Sequence, residues 1–194
     1  MSQLMEDVAA IVAAVSRALG STTLSSAEPF ERLSYRDAFL RYLDIDPFTI
    51  SDRELEAVAR KTIEVSFSEQ ARDTWLDLLL THKIEPNLGK TRLTFLYHYP
   101  PSQASLAKLA VDDNGHAVAM RFELYCASVE LANGYEELVD ADQQLARFTK
   151  DNQARAMMGK PNCEIDMGFI SALSTGLPEC AGVALGLDRL LLLL

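Results

Sequence analysis

Leu4, Val8, Ile11, Val12, Val15 and Leu19 recur every three to four residues, the period of a helix that buries one face. Gly20 follows as a C-terminal stop, so a helix is predicted over 3–19 and a surface loop over Ser21 to Pro29. Ser34-Tyr-Arg-Asp37 and Ser51-Asp-Arg-Glu54 both fit the capping-box pattern, in which a hydroxyl and a carboxylate satisfy the free amides of a first helical turn. They predict helices near 35–43 and 52–62. Residues 69–82, with Trp75, Leu78 and Leu79 on one side, form a further helical stretch that runs out before Pro86 and Gly89.

From Leu93 the pattern changes from helical spacing to aromatic and apolar runs. LTFLYHYP reads as a strand closed by Pro100-Pro101, and AVAMRFELYCASVELANGYEEL as two strands joined by a tight turn. Asp140 to Met157 reads as a polar-faced helix, Met167 to Thr175 as a shorter one stopped by Gly176, and CAGVALGL as a strand entering a last helix. Helices first and strands later predict an α+β fold in one domain, with a helical insert over about 1–90 and a sheet-bearing part over about 91–194. No internal repeat is present.

Composition narrows the function. With 28 acidic against 18 basic residues among 194, the formal charge is −10, which argues against holding nucleic acid by bulk electrostatics. Cys126, Cys163 and Cys180 are an odd number at irregular spacings, so neither a disulfide framework nor a CxxC metal site is indicated. They are expected to be small buried apolar residues in a cytoplasmic setting. No basic leader and no membrane-length apolar run occurs. His82, His98 and His116 lack ligand spacing and are read as structural or surface residues.

Three constellations carry candidate chemistry. In a two-residue hairpin, paired positions sum to an odd number, so Glu123 and Glu130 share a face whichever of Cys126-Ala127 or Ala127-Ser128 is the turn. Two like charges there call for a cation or a proton, and Mg2+ carrying a polyphosphate is a natural occupant; a solvated edge pair is the plainer alternative. On an extended strand Asn133, Tyr135 and Glu137 supply an amide, an aromatic wall and a carboxylate suited to an alkyl ammonium group. That face joins the glutamate pair only if the strand bulges, for which Asn133-Gly134 is the expected place, and an ordinary Asn-Gly turn is the alternative. In Gly182-Val-Ala-Leu-Gly186-Leu-Asp188-Arg189, two glycines on an apolar strand suggest close approach by a ligand. An Arg in a first helical turn opposes the helix dipole unless an anion such as a triphosphate sits there; pairing with Asp188 is the alternative.

Taken together, RFELYCASVELANGYEELVDADQQLARF and LPECAGVALGLDRLLLL resemble the end of a class II aminoacyl-tRNA synthetase catalytic domain of the lysyl type. Its closing G-x-x-x-G-x-D-R resembles the third class II signature motif. YRDAFLRYLDIDP and YHYPPSQASLAKL are similar to the tracts of the elongation factor P β-lysine ligase group within that family. The resemblance implies a class II synthetase-like antiparallel sheet flanked by helices. It implies a ligase that uses ATP and Mg2+ to activate lysine or β-lysine and passes it to a lysine of elongation factor P, with no protein nucleophile. By the same resemblance Glu123 and Glu130 bind Mg2+ and ATP, Gly186 and Arg189 contact ATP with Arg189 catalytic, and Asn133, Tyr135, Glu137 and Gly182 form the amino-acid pocket. Tyr135 departs from the family's usual Phe.

The family's first motif, which builds a homodimer interface, and its second, whose arginine grips the carboxylate and α-phosphate, have no counterpart in the sequence. Nor does a stretch after the third motif. The expectation is a segment of a longer protein, incomplete at both ends and impaired in adenylate formation by itself. A tRNA-charging lysyl synthetase and a non-catalytic remnant are the rival readings. The charge and the SQASLA tract favour a protein acceptor over tRNA.

Overall fold

Six strands in the order β1-β2-β4-β5-β6, with β3 on β4, organise the chain in the computed structural model, which describes residues 1–21, 29–64 and 71–194. The strands are β1 (Glu31–Ser34), β2 (Thr94–Tyr99), β3 (Leu109–Val111), β4 (Ala117–Cys126), β5 (Val129–Glu136) and β6 (Ala181–Leu185). All pairings are antiparallel except β1 with β2. The mixed fold is the expected one, a mostly antiparallel sheet flanked by helices.

Helix α1 (Ser2–Ala18) forms as its spacing predicts, but its buried face is Met5, Val8, Ala9, Val12 and Ser16, while Ile11 and Leu19, expected on that face, are exposed. Helices α2 (Tyr35–Leu43) and α3 (Asp52–Thr62) start at the predicted caps. At α3 both halves of the box form, Glu54 N donating to Ser51 Oγ at 3.3 Å and Ser51 N to the Glu54 carboxylate at 3.2 Å. Of the stretch predicted over 69–82, residues 69 and 70 lie outside the described residues. The remainder is α4 (Arg72–Leu79) continued by a π-helical turn over 80–84 and a 3-10 turn over 85–87. Pro86 ends it, having no N–H to give and a ring that crowds the preceding turn. Most of the loop expected after α1 also lies outside the described residues.

The first ninety residues, expected to be a helical insert, are not purely helical, because β1 falls within them. Four residues are too few to show alternation, and β1 is recognisable only through its parallel pairing, Leu33 opposite Leu96. The helical insert is therefore α2 to the 3-10 turn, while α1 packs on the sheet itself. Beyond β5 come α5 (Ala141–Met157), α6 (Met167–Ser174) and α7 (Leu187–Leu193), the first two capped by Asp140 and Asp166.

Two apolar clusters sandwich the sheet. Phe95, Phe122, Leu124, Leu131 and Ala132 meet α1 and Leu190 on one side; Leu33, Leu96, Ala119 and Tyr125 meet α2, α3 and α4 on the other. Cys126 is buried as expected, but Cys163 and Cys180 are exposed, a correction that follows from their place in the loosely covered loops around α6. Among the described residues no helix is long and apolar enough to cross a membrane.

Candidate active site

The hairpin turn is Ala127-Ser128, both at positive φ (48° and 66°), the primed geometry whose twist suits two-residue hairpins. Neither residue is glycine. Their amides are satisfied by Gly89 O at 2.7 Å and Leu88 O at 2.9 Å, and Gly89 itself stands at φ 67° where a Cβ would lie 2.6 Å from Tyr125 O.

Tyr125 pairs with Glu130, but Leu124 pairs with Ala132, so Leu131 has no partner on β4. This bulge turns Leu131 and Ala132 both toward α1 and reverses the parity of the rest of β5. Glu123 then faces Asn133, and Arg121 faces Tyr135. The bulge needed to unite the two constellations thus exists, two residues earlier than Asn133-Gly134. A second irregularity lies between Tyr97 and Tyr99, where His98 takes φ 61°; it brings Tyr99 to Ala119 and so onto the face of Glu123. Asn133-Gly134 is mid-strand, not a turn. Gly134 lies against the Phe122 ring, where a Cβ would come within 2.4 Å.

Glu123, only 7% exposed, accepts four hydrogen bonds. Arg121 and Asn133 Nδ2 (3.1 Å) donate to Oε1; the hydroxyls of Tyr99 (2.6 Å) and Tyr125 (2.7 Å) donate to Oε2. Burial, and after it the Glu123 charge, push both phenols well above their ordinary range, so they stay donors. The Arg121 guanidinium lies 4.5 Å from the Tyr99 ring centre and 6.0 Å from that of Tyr135. Glu130 is more open and receives Arg189, whose Nη1 is 2.8 Å from the Glu130 backbone O and 3.5 Å from its carboxylate. The repulsion expected of the glutamate pair is therefore relieved by one guanidinium each. Both glutamates line a cavity of about 490 Å³ together with Glu85, Tyr99, Arg121 and Tyr125.

Beside it, Tyr135 pairs with Gly182, and a Cβ on Gly182 would lie 2.9 Å from Glu137 Oε1. Glycine there makes room for the carboxylate. Burial raises the Glu137 carboxyl above its ordinary range, and no cation among the described residues offsets it. Asn133 Oδ1 is buried without a hydrogen-bond partner among the described residues. Arg189 sits in the first turn of α7, paired with Glu130 across the sheet rather than with its neighbour Asp188. Gly186 caps α7 and its N–H donates to the bulge carbonyl of Leu131 at 2.8 Å.

Sequence reasoning missed Tyr99, Arg121, Tyr125 and Glu85. Arg121 and Tyr125 alternate with Glu123 along β4, a signal that was available. Tyr99 depended on the irregularity at His98, and Glu85 on the distant 3-10 turn. His98 and His116 are structural as expected, His116 stacking on Phe48 with ring centres 5.0 Å apart.

A six-stranded mixed sheet carrying paired glutamates on a hairpin, and an arginine on the helix after the last strand, is that of a class II synthetase-like domain. A family model for class II tRNA synthetases of the D, K and N type matches residues 1–194, and the chain belongs to that family. Its members are ligases that activate an amino acid with ATP and Mg2+. For ATP the residues fit: Arg189 is exposed with donors to spare, in the first turn of the helix that Gly186 opens. For a cation shared by the two glutamates they fit less well, because protein donors already fill the acceptors of Glu123.

Proposed function

We propose that this chain activates lysine or β-lysine with ATP and transfers it to a lysine of elongation factor P in the cytoplasm. The amino-acid carboxylate attacks the α-phosphorus of ATP with loss of pyrophosphate, and the acceptor amine then attacks the acyl carbon with loss of AMP. The chain's part is positioning and charge compensation, which need no nucleophile. Arg189, held by the Glu130 carbonyl, would meet the phosphates, with Glu130 beside it for Mg2+ and Gly186 at the start of the same helix.

One observation carries the amino-acid assignment. Among the described residues Glu137 is partly buried without a counter-charge, next to Gly182, on the face that carries Tyr135 and Asn133, whose Oδ1 has no partner among them. Two acceptors and an aromatic wall leave an ammonium as the group that satisfies all three. The acceptor reading rests on charge. Asp77, Glu85, Glu123, Glu130 and Asp151 line the cavity, with Arg121 the one basic residue among the described lining, a surface that disfavours an RNA backbone and draws in an amine.

The test is ATP–pyrophosphate exchange by the full protein with lysine, β-lysine and leucine. Glu137→Gln should lower activation of both lysines on the order of 100-fold, the effect of removing one partner of a desolvated charge pair. Tyr135→Leu should cost about tenfold or less, the loss of a cation–π contact. Unchanged activation in Glu137→Gln, or leucine used as well as lysine, would remove this segment from the amino-acid pocket.

A further inference from the structure

A carboxylate has about four acceptor positions, and all four on Glu123 are taken by Arg121, Asn133, Tyr99 and Tyr125. A divalent cation would have to displace one of these donors from a residue that is 7% exposed. Glu130 has no such ring, since Arg189 reaches its carboxylate only at 3.5 Å. The two glutamates stand on one face yet are not equivalent ligands.

What Glu123 does instead follows from its partners. An amide beside a carboxylate must present its NH2, because two oxygens would repel. Glu123 Oε1 therefore fixes the Asn133 side chain with Nδ2 toward itself, which leaves Oδ1 as the buried acceptor with no partner among the described residues. The same carboxylate holds Arg121 between the rings of Tyr99 and Tyr135. Asn133 and Tyr135, two of the proposed pocket residues, are thus oriented by one buried group.

We propose that Glu123 is a positioning residue of the amino-acid pocket, fixing the Asn133 amide so that its Oδ1, closed to water, is left as the acceptor beneath the pocket, and that Glu130 alone of the pair meets the cation. The ligand part of this inference rests on the proposed activation of a lysine-type amino acid; the part about Asn133 rests on the protein alone.

Two binding measurements on the full chain separate the roles: lysine by calorimetry, and Mn2+ in the presence of ATP by electron paramagnetic resonance. Glu123→Gln should weaken lysine about tenfold or more, because a neutral side chain cannot accept from all four donors. It should change Mn2+ affinity less than about threefold, whereas Glu130→Gln should lower Mn2+ affinity about tenfold. Equal losses of Mn2+ affinity in the two variants would overturn the proposal. The Asn133 side-chain amide resonances, assigned by their loss in Asn133→Asp, supply a reading that needs neither a folded Glu123 variant nor a ligand. In the wild-type protein alone they should exchange slowly with solvent; fast exchange would overturn the inference. Slow exchange together with no binding of lysine or of ATP would leave the positioning role standing and remove the proposed activity instead.

Discussion

Along β4 alternate residues face two different environments. Toward α1, Phe122 and Leu124 are fully buried among Phe95, Leu131 and the apolar face of the helix, with Phe95 and Phe122 edge to face at 5.5 Å. Toward the helical insert, Arg121, Glu123 and Tyr125 are joined by hydrogen bonds of fixed direction. The first side is held by contact area, which is additive and tolerant of shape. The second is held by a closed set of donors and acceptors, in which removing one leaves another unsatisfied in a low-dielectric setting. One strand can thus secure the fold with one half of its residues and organise a site with the other.

The largest effect expected from breaking this contrast is on the α1 side. Phe122→Ala removes a ring with no exposure at the centre of the cluster and should cost about 3–5 kcal/mol of stability, read from urea unfolding. A loss below about 1 kcal/mol would show that the cluster collapses into the space and that shape matters less than described.

The apolar scaffold, on both faces of the sheet, was the legible part. Helix spacing gave α1, Ser34 and Ser51 gave the starts of α2 and α3, and aromatic runs gave β2, β4 and β5, because these signals are local. The network side was only half legible. Glu123, Glu130, Asn133, Tyr135, Glu137 and Arg189 stood out by chemistry, and parity placed the glutamates on one face. What joined them was the bulge at Leu131 and the irregularity at His98, neither of which has a residue signature: Leu131 is an ordinary core leucine and His98 carries no glycine to announce its positive φ. The true bulge was missed in favour of Asn133-Gly134 because glycine there serves a contact with Phe122, which only the paired strands reveal.

Gly134 couples the two sides and gives the second prediction. In a strand, alanine is normally the better residue by about 0.5–1 kcal/mol, but at Gly134 its Cβ would come within 2.4 Å of the Phe122 ring. Gly134→Ala should therefore destabilise by about 1–3 kcal/mol. In a Phe122→Leu background the same substitution should cost measurably less, so that the two changes are not additive. Additivity within experimental error would mean that the close approach is not what selects glycine.

The smallest effect concerns Glu85, at the edge of the network. Burial first, then the charges of Glu123 and Glu130, raise its carboxyl above the ordinary range, while the Tyr125 hydroxyl, whose one proton points mainly to Glu123 and lies 3.3 Å from Glu85, and Thr81 at 3.5 Å act weakly in the opposite sense. A carboxyl raised on folding binds its proton more tightly in the folded protein. Its contribution to stability is therefore complete below the unfolded carboxylate range, about 4.3, and is lost as pH rises through the higher folded value. Glu85→Gln is neutral at every pH, so it should match the wild type near pH 4 and be slightly more stable near pH 7, the gain being small because the solvent on the open side of Glu85 screens it. Glu31, at the sheet edge, is the opposite case. Burial works against its charge, but the hydrogen bond and charge of Arg41 outweigh it and hold the carboxyl below the ordinary range. Glu31→Gln should lose stability at pH 7, and that loss should fade as pH falls through the depressed folded value. Urea midpoints of the two variants and the wild type at pH 4 and pH 7 check both signs at once; a Glu85→Gln protein less stable than the wild type at pH 7 would mean that its bonds with Tyr125 and Thr81 outweigh the repulsion, and would place Glu85 inside the network rather than at its edge.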